Sequence, residues 1–341
     1  MRTIFQETLL GPVDLSSLAI DFPADVPRDA WPDFVKEGRD LGDPRYKEEP
    51  LKVSDLIDFK VFNDDFRVEL DGVVAIEVNP IAESFRVTEG GSVISEFPLS
   101  VQMGSASPAE SEKLISTLFV PPEFGVTFVG TSHGFDPAGK TSGFILWMGK
   151  RGVIVDPPPY TGDVLMRMGI APRLIDSIIL SHCHADHDAG SFQKILRSSN
   201  VRLITTPTIL GSFLRKYAAI SGFSEEFISN LFRFVPVKIG APIRVHGGDI
   251  TFQYSLHTIP CISFQAEYAG KTIAFSGDTC YNPELLAEME ANGTIGASRR
   301  EQLMNFNFGP TSFCMRPACR RSTHRFHCLR SSTRARGRGC M

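Results

Sequence analysis

The densest chemistry in the chain is SHCHADHDAG, residues 181–190. It follows the apolar run IDSIIL and precedes a helical pattern, so it reads as a strand-to-helix loop. On extended backbone His182 and His184 project to the same side, and Asp186 and His187 follow as the chain turns. Four metal-competent side chains thus fall within six residues. A polar loop of this composition without a cation would crowd unpaired imidazoles and a carboxylate at high cost. Imidazole and carboxylate donors without thiolate suit Zn²⁺, with Mn²⁺ or Fe as alternatives. Cys183 stands between two of these residues, but in a strand it faces the other way and is expected in the core.

The elements that must carry this loop are legible from residue 124 onward. Strand-like runs (GVTFVGT, SGFILWM, GVIVD, DSIILSH) lead to the helical DAGSFQKILRSS and the strand VRLITTP. Two helical stretches follow, around 209–221 and 224–234, then the strands DITFQYSLH, SFQAEYAG and KTIAFSGD. Helical patterns in PELLAEMEANG and SRREQLMNF close the series. Hairpin strands that then alternate with helices predict a layered α/β domain. Upstream, residues 51–104 hold short β-rich pieces separated by turn residues, which predict a small β region of unknown role reaching to about residue 120. Residues 1–50 are rich in Pro, Asp and Glu and read as an extended lead-in.

The pattern H-x-H-x-D-H resembles the signature of the metallo-β-lactamase superfamily, and the resemblance covers roughly residues 124–308. Other landmarks agree in order. FVGTSHG, residues 128–134, is similar to the glycine loop of the ribonuclease Z and cyclic-nucleotide phosphodiesterase branch; VDPPP carries Asp156; HTIPCIS supplies His257; SGDT supplies Asp278. The resemblance implies a four-layer αββα sandwich with a two-metal site at one edge of its sheets, behind an N-terminal β-containing region. It also implies that His182, His184 and His257 hold one metal, that Asp186 and His187 hold the other, and that Asp278 bridges them. Two such ions, with Zn²⁺ the expected metal, about 3.5–4 Å apart would supply a metal-bound hydroxide at neutral pH. Asp186 is expected to orient that water as well, and Ser132 and His133 in the glycine loop are candidates for touching substrate.

The function so implied is hydrolysis of a phosphodiester, small or of cyclic-nucleotide type. Short ribonuclease Z enzymes carry a substrate-gripping arm between the third histidine and the bridging aspartate. Here 21 positions separate His257 from Asp278, too few for it. Charge agrees: residues 309–341 hold eight Arg and no acid, so the net −4 of the whole chain leaves −12 on residues 1–308. Such a body disfavours nucleic acid. Three readings compete: a catalytically impaired metal-binding protein, an RNA-processing nuclease, and a thioester or lactam hydrolase on the same fold.

Residues 134–141, GFDPAGKT, fit the phosphate-loop pattern G-x-x-x-x-G-K-[ST], but strand-like runs follow where a helix N-terminus is required, so nucleotide-triphosphate binding is rejected. His246 in VHGGD is expected at the surface, and Cys261 and Cys280 are expected to be buried and inert. No run of about 18 apolar residues predicts a membrane span, and MRTIFQETLLGPVDL does not read as a signal peptide. Three of the seven cysteines are scattered singly before residue 309, which suits a reducing, cytoplasmic setting. A small molecule is the expected partner, and self-association is left open.

The second metal calls for a further histidine after Asp278, and only His324 and His327 remain, inside the Arg- and Cys-rich tail. That tail is expected to be aberrant, a frameshift or gene-model error. Read one base out of register, Cys314/Met315 permits a histidine codon and Met315/Arg316 a glutamate codon, giving a strand that ends in His-Glu-Ala. An independently cloned transcript with an intact frame through codon 309 would overturn this.

Overall fold

The structure is a computed structural model, and it describes residues 1–42, 52–70, 72–99, 119–134, 136, 139–198, 200–305 and 314–315. The chain divides into two compact units, one formed by Met1–Pro50 with Thr117–Met341 and the other by Leu51–Ser116. The smaller unit carries an antiparallel sheet of β1 (Arg67–Glu69), β2 (Val74–Asn79), β3 (Ser84–Glu89) and β4 (Ser92–Pro98) in sequential order.

The larger unit holds two sheets. The first runs β10-β9-β8-β7-β6-β5, where β5 is Phe124–Gly130, β6 Gly143–Met148, β7 Arg151–Val155, β8 Ile175–Ile179, β9 Arg202–Thr205 and β10 Arg233–Pro236. The β5–β6 and β6–β7 pairings are antiparallel, and those from β7 to β10 are parallel. Parallel neighbours need crossovers. The described connections are helical: α2 (Thr161–Arg167), α3 (Ala185–Arg197) and α4 (Pro207–Ser221), numbered after α1 (Phe34–Leu41). The second sheet runs β11 (Pro242–Val245), β12 (Gly248–Tyr254), β13 (Ile262–Tyr268), β14 (Lys271–Phe275) and β15 (Cys314–Met315), with α5 (Pro283–Ala291) and α6 (Ala297–Met304) in the segment between β14 and β15.

All six residues of β6 are buried, as a strand covered on both faces requires. On one face Phe144 meets Phe264 of β13 and Phe275 of β14, with ring centroids 6.5 and 5.2 Å apart, which joins the two sheets. Helix α4 buries Ile209, Phe213 and Tyr217, one residue per turn along one stripe. Thr206 caps its first turn by accepting from the Ile209 N–H, Pro207 opens it, and Gly222 ends it in the left-handed region at φ 75°. Beyond the second sheet, Leu286 and Met289 of α5 form a separate small core with Leu256 and Ile295. The layers are helix, sheet, sheet, helix, the αββα sandwich expected. A strand, not a helix, follows GFDPAGKT, in keeping with rejection of a phosphate loop. Among the described residues no helix is long and apolar enough to cross a membrane.

Residues 1–42, the described part of the expected lead-in, differ from an extended segment. They belong to the larger unit and attach to it through buried acids. Glu37 on α1 forms a two-pronged pair with Arg299 on α6, at 3.0 and 3.1 Å, and the same guanidinium donates to the Tyr254 and Ser255 carbonyls. Asp21 accepts from the Tyr254 hydroxyl at 2.6 Å and from the Thr208 N–H at 3.3 Å. The Pro, Asp and Glu content of these residues reads as an extended lead-in because the partners lie some 200 positions away and no local pattern reveals them.

Burial pushes the Asp21 carboxyl up to about 6, with Thr208 and Tyr254 opposing. The folded state therefore holds this proton more tightly than the unfolded chain does. Stability is greatest below the unfolded value and falls as pH rises from about 4 to about 6, by on the order of 3 kcal/mol from this one group. Asp21→Asn is expected to flatten that part of the profile, which denaturant unfolding of both chains from pH 4 to pH 7 measures.

Candidate metal centre

The first sheet ends at the site. β8 runs into Leu180 and Ser181, His182 to His184 continue extended, and His184 caps α3, whose first turn holds Asp186 and His187. His182 and His184 do share a side, and Cys183 points away, fully covered, its Sγ 3.6 Å from the Ile209 carbonyl. From the second sheet come His257, after β12, and Asp278, after β14. The structure brings all six expected residues together.

Three imidazole nitrogens converge. His184 Nδ1 lies 3.0 Å from His182 Nε2 and 3.0 Å from His257 Nε2. One nitrogen cannot be properly hydrogen-bonded to both while all three rings are neutral and their other nitrogens are engaged. A tetrahedral cation with Zn–N bonds of about 2.0–2.1 Å places its ligand nitrogens about 3.3 Å apart, so this spacing fits an ion. Burial, then neighbouring imidazoles, hold His182 and His257 well below the ordinary imidazole range, and burial brings His184 down to about 4 against the pull of Asp186. Uncharged rings with free lone pairs are what a metal requires.

Asp278 belongs to the same donor group as His182, His184 and His257, all four contributing atoms within 4.8 Å of one another. Its Oδ1 is also 3.5 Å from His187 Nε2, and Asp186 Oδ2 is 3.6 Å from that nitrogen. The site is two-lobed, three histidines on one side, Asp186 and His187 on the other, Asp278 between. Burial lifts Asp278 to about 6, with His187 opposing. Burial lowers His187, but its hydrogen bond to Asp156 and the charges of Asp156, Asp278 and Asp186 carry it up to about 9.

Asp156 follows β7 at φ 43° and is fully buried. Its Oδ1 accepts from the Ser181 N–H at 2.8 Å, while Oδ2 faces both the Ser181 hydroxyl and His187 Nδ1, the latter at 3.0 Å. The Ser181 hydroxyl in turn lies 2.8 Å from His182 Nδ1. With its oxygens so committed, Asp156 orients a histidine of each lobe and leaves their Nε2 atoms for the centre, the way outer carboxylates act at metal sites. Sequence reading singled out Asp156 without this role and missed Ser181, although the Ser stands directly before the first histidine.

A second buried group supports the loop from behind. Lys216 on α4 donates to Asp188 Oδ2 at 2.6 Å and to the Cys183 carbonyl at 2.8 Å, and the Tyr217 hydroxyl donates to Asp188 Oδ1 at 2.9 Å. Burial pushes Asp188 up to about 6 in spite of Lys216.

The glycine loop lies at the mouth. A Cβ on Gly134 would stand 2.5 Å from Asp186 Oδ2, so only glycine permits this approach. Ser132 is engaged, donating to Asp136 at 2.7 Å. His133 neighbours both in sequence. His246, expected at the surface, is instead largely covered, its Nε2 3.0 Å from Asp176 and 3.2 Å from Arg202. Cys261 is buried beside the centre, its Sγ 3.6 Å from His182 Nδ1, and Cys280 is half-buried. His324 and His327, and the tail apart from Cys314 and Met315, lie outside the described residues.

A family model described as Anti-Pycsar protein Apyc1 matches residues 124–296, half of the chain and all the residues of the cluster. The chain belongs to this family. The Apyc1 match begins at β5 and ends before α6. Among curated proteins, the cGMP-dependent 3',5'-cGMP phosphodiesterase A of Dictyostelium discoideum is 40% identical over 288 residues, 82% of this chain and 32% of that protein. The cAMP/cGMP-dependent 3',5'-cAMP/cGMP phosphodiesterase B of the same organism is 42% identical over 192 residues, 56% of this chain and 18% of that protein. The chain therefore spans a third or less of the curated relatives it matches. Solved structures similar to this Apyc1-family chain include the metallo-β-lactamase fold protein YhfI of Bacillus subtilis, with 20% identity, TM-score 0.37, and coverage of 48% of this chain and 66% of that one. Another is the short form of human tRNase Z, with 17% identity, TM-score 0.36, and coverage of 50% and 83%.

Proposed function

We propose that this chain is a metal-dependent phosphodiesterase whose substrate is a small cyclic nucleotide of the 3',5'-cGMP or 3',5'-cAMP type. The observation that carries the reading is the convergence of three neutral imidazoles on one point with two carboxylates and a fourth imidazole beside them. The names of the two Dictyostelium phosphodiesterases support the substrate class.

His182, His184, His257 and Asp278 would hold one divalent ion, and Asp186, His187 and Asp278 a second, with Zn²⁺ best suited to the donors. Bound there, the ions would acidify a water and polarise a phosphoryl oxygen. The protein's own residues do the rest. Asp156 fixes the rings of His187 and, through Ser181, His182. Asp186, more exposed than Asp278, is placed to accept a hydrogen bond from the attacking water and align it. The loop bearing Ser132 and His133 rests on Asp186 at Gly134 and forms a wall of the mouth. Phosphodiester cleavage then exchanges a P–O ester bond for a P–O bond to water oxygen, and the leaving ribose oxygen takes a proton.

Metal content of the purified chain, together with turnover of 3',5'-cGMP, 3',5'-cAMP and bis-(p-nitrophenyl) phosphate, tests this. Two ions per chain and cyclic-nucleotide turnover are the expected result. One ion without turnover would favour an impaired metal-binding protein, a reading kept because the lobe of Asp186 and His187 has a single imidazole among the described residues.

Gly134→Ala gives a finer check. The added methyl collides with Asp186, and a displacement of about 1 Å can cost on the order of 100-fold in rate. A fall of about 10- to 100-fold in kcat with little change in melting temperature is expected.

A further inference from the structure

The family match covers residues 124–296, yet the loop that carries His257 is held from outside that segment, by α1 and α6. The loop runs from the end of β12 at Tyr254 to the start of β13 at Ile262, and the Ser255 N–H closes its base on the Cys261 carbonyl at 2.8 Å. Tyr254 and Ser255 are buried, so their carbonyls need donors as they leave the sheet. Arg299 of α6 supplies both, Nη1 to Tyr254 at 2.7 Å and Nη2 to Ser255 at 3.1 Å. That guanidinium is itself only 1% exposed, and the fully covered Glu37 of α1 neutralises it from the other side.

The next residue of α1 reaches beyond the histidine. A Cβ on Gly38 would stand 2.9 Å from the Thr258 carbonyl oxygen. Glycine is a poor residue for the middle of a helix, and this backbone approach is what it permits. Gly11, at φ 77°, meets the same loop at Pro260, where a Cβ would stand 3.3 Å away. Buried Glu7 anchors that stretch through a two-pronged contact from Arg215 of α4, at 2.5 and 3.2 Å. The loop is also laced to the one that carries Asp278. Ser255 Oγ donates to the Ser276 carbonyl at 2.7 Å, and the Leu256 carbonyl accepts from the Cys280 N–H at 2.8 Å. His257 is thus bracketed by fixed backbone at 255–256 and 258, and Asp278 by fixed backbone at 276 and 280.

We infer that α1 and Arg299 form a clamp that sets the geometry of the metal centre, an inference that rests on the reading of the cluster as such a centre. Glu37, Gly38 and Arg299 are positioning residues. They act through the backbone of residues 254–258 on His257 and, through the lacing, on Asp278. Outer partners of metal ligands are worth about 10- to 100-fold in affinity, and displacement of this loop is expected to cost about 10-fold.

The full chain and its variants are titrated with Zn²⁺ against a chromophoric chelator, then loaded with Co²⁺, whose visible absorption reports the number and arrangement of its ligands. His257→Ala gives the spectrum of a centre that has lost its third imidazole. Gly38→Ala is the principal variant, because it leaves the Glu37–Arg299 pair intact and favours the helix while pressing a methyl against Thr258. It is expected to bind Zn²⁺ about 10-fold more weakly and to move the Co²⁺ spectrum toward that of His257→Ala. Glu37→Ala is expected to lose about 10- to 100-fold, and Glu37→Gln, which keeps an acceptor for Arg299, less. Ile170→Ala removes a buried side chain ahead of β8, at the end of that strand away from the histidines. This control is expected to lower the urea midpoint and leave affinity and spectrum unchanged. Unchanged Zn²⁺ affinity in Gly38→Ala overturns the inference, as does a fall in affinity with the Co²⁺ spectrum unaltered. An equal loss in Ile170→Ala also overturns it, since the effect would then be one of general stability. Failure of the unmodified chain to bind Zn²⁺, or equal binding by His257→Ala, would instead overturn the reading of the centre beneath it.

Discussion

His184→Ala is expected to remove both metal retention and turnover. The ring is the meeting point of the cluster, its Nδ1 3.0 Å from each of two other imidazole nitrogens. Outer partners of metal ligands are worth about 10- to 100-fold, so loss of a ligand itself is expected to exceed about 100-fold in affinity and in kcat/KM. Thermal stability should divide in a telling way. With Zn²⁺ at about 100 times its dissociation constant, the unmodified chain gains about 2.7 kcal/mol from binding, and His184→Ala gains almost none. Melting curves with and without Zn²⁺ measure this. An equal metal-induced shift in the two chains would mean that the ion sits elsewhere.

Lys216→Met is the second large effect, and it acts on folding. Lys216 is nearly inaccessible and joins Asp188 to the Cys183 carbonyl. Without it a buried carboxylate keeps only the Tyr217 hydroxyl as partner. Breaking one side of a buried ion pair costs about 3–5 kcal/mol, and this loss falls on the stretch between His182 and His184. Urea unfolding is expected to show that cost for Lys216→Met. The double variant Lys216→Met with Asp188→Asn is expected to recover part of it, since no unpaired charge remains. Additive losses would show that the two residues do not act as a pair.

The sequence displays the ligands and hides what holds them. His182, His184, Asp186 and His187 are consecutive enough that one loop places them, and a period-two backbone already says which way Cys183 points. His257 and Asp278 stand at strand ends, and their order with the other landmarks of the resemblance picks them out. The supports have no such signal. Lys216 and Tyr217 lie in a helical stretch and look like an ordinary polar position beside an aromatic one. Glu7, Asp21 and Glu37 fall in what reads as an extended lead-in, yet each is buried against a partner on another element. His246 reads as a surface residue for the same reason: the turn that holds it is polar, but Asp176 and Arg202 lie against its ring. Contacts across 44 to 262 positions are set by the sheets, not by neighbours in the chain.

Those long spans impose an order on birth. Synthesis proceeds at about 5–20 residues per second, so Glu7 emerges roughly 10–40 seconds before Arg215, and Glu37 waits longer still for Arg299. Through that interval the acidic lead-in has nowhere to dock. The β1–β4 sheet is different: its strands are neighbours in sequence, so its pairings can close while the ribosome is still making the first histidine. The residues translated first thus take their places among the last, and the nascent chain has no finished centre with which to hold an ion until Asp278 has emerged.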